Sequence, residues 1–70
     1  MKVLRQMRTE AGLSADRLAA LSGLHRGHIY AIERGRRRAP TVATVRAIAE
    51  ALAPALKRPV GEVLEELTRP

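Results

Sequence analysis

Between Ser14 and Gly35 the chain carries two short apolar stripes, each closed by a glycine. That spacing leaves little choice of local structure. Ser14 is a strong N-cap, because its hydroxyl can accept from an otherwise orphaned first-turn amide. Asp16 then puts negative charge at the favourable end of the helix dipole. Leu18, Ala19 and Leu21 supply an apolar side, Gly23 a left-handed stop, and Leu24 an apolar residue to fold back over it. A second helix follows, with Ile29 and Ile32 three apart on one face, and it stops at Gly35. The stretch predicts two helices joined by a tight, glycine-containing turn.

The flanking segments read as helices too. Leu4, Met7 and Ala11 form a buried stripe in a first helix over Val3 to Ala11, and Gly12-Leu13 repeats the glycine stop with its fold-back. A fourth helix starts at Pro40-Thr41, capped by Thr41. It runs to about Leu52 with Val42, Val45, Ile48, Ala49 and Leu52 as core. Pro54 and Pro59 bracket a linker over residues 53–58, since proline does not continue a helix interior. Val60, Val63, Leu64 and Leu67 then mark a fifth helix over about 59–68, its outer face carrying Glu62, Glu65 and Glu66. The expectation is a single all-α domain over residues 1–70, with its core in 3–52.

Seventy residues bury only about 60% of their unfolded surface, so stability is modest and gains from dimerisation. Helix 5, or Leu56 before it, either packs on helices 1 and 4 or forms a dimer seam. There is no cysteine, so no disulfide and no thiolate metal site, and two histidines make no ligand set. No metal and no cofactor is expected. No apolar stretch approaches the ~20 residues of a membrane span, and no signal-peptide h-region is present. A cytoplasmic, nucleoid-associated location without a membrane partner is the expectation.

Charge is distributed unevenly. Residues 1–49 hold ten Lys or Arg against Glu10, Asp16 and Glu33, a net +7, whereas residues 50–70 hold three against four acids, a net −1. The positive field thus belongs to the half containing the helix pair, as on a surface that meets phosphate. A helix pair of this kind is a helix-turn-helix, whose second helix enters a DNA major groove. Arg36-Arg37-Arg38 directly follows that second helix, which favours phosphate contact over a merely solvated loop.

The spaced residues Leu4-Arg5, Arg8, Gly12-Leu13-Ser14, Leu18-Ala19, Ser22-Gly23-Leu24, Ile29, Ile32-Glu33-Arg34-Gly35, Pro40, Ile48-Ala49 and Leu52 resemble the Cro and XRE type of helix-turn-helix domain. The resemblance covers roughly residues 3–52 and implies a compact five-helix, lambda-repressor-like fold with the motif at helices 2 and 3. It also implies an ion pair between Arg8 and Glu33. On a wheel of ~100° per residue, Gly27, Tyr30, Ala31 and Arg34 point away from Ile29 and Ile32, with Arg26 at the amino end. Arg26 is the leading candidate for base readout, through guanine O6 and N7; Gly27, Tyr30, Ala31 and Arg34 complete that set. Candidate phosphate contacts are Arg36, Arg37, Arg38, His25, His28 and the Ala15 backbone amide. Ala15 and His25 stand where the family usually has Gln and Ser or Thr, and the segment between helices 4 and 5 is longer than usual.

Together these features point to a sequence-specific regulator of transcription binding double-stranded DNA, in the form of a homodimeric repressor on an inverted-repeat operator. The alternative is an antitoxin that binds a protein toxin and its own promoter. An RNA-binding module is disfavoured because Tyr30 is the one aromatic residue, too few for a stacking platform. Enzyme chemistry is disfavoured as well: no nucleophile–base pair, carboxylate pair or phosphate-cradling loop stands out.

Overall fold

The structure is a computed structural model that describes residues 1–35 and 40–69. Among the described residues it contains five helices and no strand: α1 (Lys2–Glu10), α2 (Ala15–Ser22), α3 (Arg26–Arg34), α4 (Val42–Leu56) and α5 (Val60–Thr68). Each helix sends a fully buried side chain to one core, formed by Leu4, Leu18, Ile29, Ile48, Leu52 and Val63. The longest helix, α4, packs against α5, α2 and α1, while α3 packs on α2 and α1.

The helix ends follow from local chemistry. Ser14 Oγ accepts from the Arg17 amide at 3.0 Å, and Thr41 Oγ1 from Thr44 at 3.2 Å, so both expected N-caps are made. Gly23 sits at φ 73°, a left-handed conformation that costs a side-chain-bearing residue about 1–2 kcal/mol. There the Leu24 amide donates to the Ala19 carbonyl at 2.9 Å, closing α2 and swinging Leu24 onto the core.

The expected linker over 53–58 is corrected, for α4 continues through Pro54 to Leu56. A proline inside a helix leaves the carbonyl four residues earlier without its donor. Pro54 is exposed, so water can serve that carbonyl, while continuing the helix buries Ala53 and lays Leu56 on the core. The helix then closes on Lys57, a non-glycine residue at φ 56°, with the Arg58 amide donating to Ala53 O at 3.1 Å. Arg58 goes on to hold α5, meeting Glu62 at 2.8 Å and Glu66 at 2.9 Å. Those two hydrogen bonds, Glu66 first, push its guanidinium further up from its ordinary value.

Two expected core residues lie outside the core. Leu21 is 49% exposed, because at ~100° per residue it stands roughly 110° from the mean direction of Ala15, Leu18 and Ala19. It borders an open groove of about 390 Å³ with Ala47, Ala51 and Pro54 of α4. Val42 is 81% exposed, since it begins α4 ahead of the part that meets the core. The α5 stripe packs inward through Val63 and Leu67, leaving Leu56, Val60 and Leu64 half-buried.

Lys57 holds a conformation that glycine adopts without strain, and its side chain is exposed. Lys57→Gly is therefore expected to raise unfolding stability by about 1 kcal/mol, the relieved strain less the extra unfolded-state entropy. A urea melt with unchanged slope and a higher midpoint is the measurement that checks it.

Candidate nucleic-acid interface

The nine residues of α3 divide into two sides. Ile29 and Ile32 are buried; Arg26, Gly27, His28, Tyr30 and Arg34 are exposed, and Ala31 is half-buried between them. The residues expected to read bases thus share the outward side of one helix. His25, Gly27, His28 and Ala31 border an open depression of about 340 Å³ at its amino end. Towards the carboxyl end, Arg34 Cζ lies 5.3 Å from the Tyr30 ring centroid, a cation–π contact that holds the guanidinium along the helix surface.

His25 takes a definite role at the start of α3. Its Nδ1 accepts from the Gly27 amide at 3.2 Å, so the imidazole stands in for the hydroxyl of a Ser or Thr cap. Accepting at Nδ1 places the ring proton of the neutral form on Nε2. At Gly27 an added Cβ would meet His25 Nδ1 at 3.4 Å, an ordinary van der Waals contact, so the fold itself does not demand glycine here.

Of the expected phosphate contacts, Ala15 is 2% exposed, which turns its side chain into core and leaves only its amide at the start of α2. His28 is on the exposed side of α3. Arg36, Arg37 and Arg38 lie outside the described residues.

Arg8 and Glu33 are brought together beneath this surface. Arg8 Nε meets Glu33 Oε2 at 2.6 Å and Nη2 meets Oε1 at 3.1 Å, a two-point fork between α1 and α3. The third guanidinium nitrogen, Nη1, donates to the Leu13 carbonyl at 3.0 Å, which adds the turn before α2. The side chains are only 14% and 5% exposed. The hydrogen bond to Glu33, reinforced by its charge and opposed by burial, pushes the Arg8 guanidinium further up from its ordinary value. The Met1 nitrogen, just ahead of α1, also donates to the carbonyls of Ile32 and Glu33 in the last turn of α3.

Sequence reasoning missed one neighbour of this surface. Asp16 Oδ2 lies 3.6 Å from Arg26 Nη1, across the turn between α2 and α3. The sequence by itself gives Asp16 a dipole role only. The spacing carries no signal for it, because the contact depends on how the turn at Gly23 sets α3 against α2.

The geometry defines a small helical DNA-binding domain whose third helix is gripped at its carboxyl end and open along one side. The helix-turn-helix family matches residues 4–53, and the chain belongs to it, in its Cro/C1-type, XRE-like form. This is a family of DNA-binding transcription regulators. Comparison with curated proteins finds no match. Among the described residues, no helix is long and apolar enough to cross a membrane.

The Arg8–Glu33 fork generates a stability prediction. Arg8→Ala and Glu33→Ala should each cost about 2–4 kcal/mol, between an exposed and a fully buried pair, because either leaves a partly buried charge without its partner. The double variant should lose clearly less than the two losses combined. A double-mutant cycle from urea melts reads the difference, and additive losses would show the pair to be uncoupled.

Proposed function

We propose that this protein is a sequence-specific repressor that binds an inverted-repeat operator as a homodimer, with α3 in the major groove. The observation that carries the reading is the outward side of α3, where Arg26, Tyr30 and Arg34 stand exposed on a helix anchored at both ends. Arg26, at the amino end where recognition helices reach base edges, makes the two-point contact to guanine. Tyr30, Arg34, Gly27 and Ala31 follow along the groove, and Ala31 offers a methyl towards a thymine methyl. Arg36, Arg37 and Arg38 supply charge to the backbone, joined by His28, the His25 Nε2–H and the Ala15 amide at the start of α2. Dimerisation uses the half-buried Leu56, Val60 and Leu64. Two bodies 29 Å in longest extent fit side by side on half-sites about 34 Å apart.

Reading and holding separate experimentally. In titrations of a duplex selected from a random pool and of its scrambled version, Arg26→Ala should lose about 1–3 kcal/mol of preference at one base pair per half-site. Its affinity for scrambled DNA should fall much less. Each of Arg36, Arg37 and Arg38 that neutralises a phosphate should, when replaced by Ala, lower the steepness of log K against log salt by about 0.9. Both duplexes should weaken together in that case. Equal weakening of both duplexes by Arg26→Ala would make Arg26 a phosphate contact, and a parent protein that enriches no sequence would overturn the repressor reading.

Gly27 gives a second test. Gly27→Ala should stabilise the free protein by about 1 kcal/mol, because alanine favours the helix and its methyl fits. It should at the same time weaken DNA binding, since the added methyl meets the floor of the groove. Thermal melts and DNA titration on one sample check both signs; a rise in stability with unchanged affinity would remove Gly27 from the interface.

A further inference from the structure

A charge pair joins the first turns of the two helices of the motif: Arg26 Nη1 to Asp16 Oδ2, 3.6 Å. The side chains are 63% and 69% exposed, so packing does not force the contact. It brings an acid of the first turn of α2 within reach of Arg26. Resting on the reading of Arg26 as the base-reading arginine, we infer that Asp16 is a positioning residue that sets how selectively Arg26 reads DNA.

Two effects act in the same direction. The carboxylate faces Nη1 as a charge contact, which leaves the Nε–Nη2 edge of the guanidinium free for a two-point contact with guanine O6 and N7. The carboxylate has acceptors only, so it repels phosphate oxygens from the ground that Arg26 would otherwise share with the DNA backbone. Asp16 thereby withholds Arg26 from the sequence-independent contact and leaves it the sequence-dependent one. Negative charge beside a DNA-reading arginine lowers total affinity and raises discrimination.

The test compares the parent with Asp16→Asn, Arg26→Ala, the double variant and Glu65→Gln. Glu65→Gln removes the same charge from α5, which packs on α4 and α1. Each is titrated with a duplex selected from a random pool by the parent, with single-base variants of it and with a scrambled duplex, at several salt concentrations. Asp16→Asn is expected to lose about two- to fivefold of the preference for guanine opposite Arg26, the range of an exposed ion pair. It should bind scrambled DNA more tightly, with a log K–log salt slope steeper by up to about 0.9 as Arg26 takes a phosphate. In the Arg26→Ala background the Asp16 change should move no base preference, and Glu65→Gln should move none in the parent. Asp16→Glu keeps the carboxylate in reach of Arg26 and should retain the parent's preference, a check independent of any loss of folding in Asp16→Asn. Equal tightening on every duplex, with preference intact, would reduce Asp16 to a general charge effect and overturn the inference. An equal change of preference with Arg26 absent would overturn it as well. If Arg26→Ala alone leaves base preference intact while the parent still selects a sequence, the assignment of Arg26 fails and the role of Asp16 falls with it.

Discussion

The fork between Arg8 and Glu33 is the constraint on which the presentation of α3 depends. A two-point guanidinium–carboxylate contact fixes distance and orientation together, unlike a single-point charge pair. Because Nη1 also reaches the Leu13 carbonyl, one side chain ties α1, the turn before α2 and the last turn of α3. Its partial burial makes it costlier to break than a surface pair and shields it in part from salt. Arg8 and Glu33 are thus withdrawn from the surface charge.

The amino end of α3 is held by a different means. His25 caps through a ring nitrogen, and the first turn beyond it carries a glycine that packing does not require. The helix therefore pairs an anchored carboxyl end with an amino end stabilised by one hydrogen bond and a neighbouring charge pair. Such a helix keeps its position while its first turn stays open to a ligand. This arrangement leaves Arg26 exposed at the first turn of the helix.

Much of the fold was legible because short helices advertise their ends. Ser14, Thr41, Gly23 and Gly35 act through their immediate neighbours, so local sequence suffices to place α2, the turn and the limits of α3. The outward side of α3 was legible for the same reason, since Ile29 and Ile32 fix the buried direction. What misled was reasoning that stopped at local propensity. Pro54 argues for an end to α4, but the burial of Ala53 and the packing of Leu56 outweigh one missing hydrogen bond on an exposed side. Leu21 and Val42 look like core by type, yet angular position and helix start leave them exposed. The contact between Asp16 and Arg26 was not legible, because it depends on how the turn at Gly23 aligns two helix starts.

The sequence by itself determined five amphipathic segments, the Ser14 and Thr41 caps, the glycine stops at Gly23 and Gly35, the concentration of positive charge in the first half and the membership of the helix-turn-helix family. Those are properties of near neighbours and of composition, and they survive without knowledge of packing. Tertiary structure decided that α4 runs through its proline, that the Ala15 side chain belongs to the core, and that Arg8 clasps Glu33 and Leu13 rather than solvent. It also decided that Asp16 faces Arg26. Each of these is a competition between a local preference and the burial or pairing available only once distant segments meet. In a chain of 70 residues the margin of stability is small enough that such contacts settle the outcome.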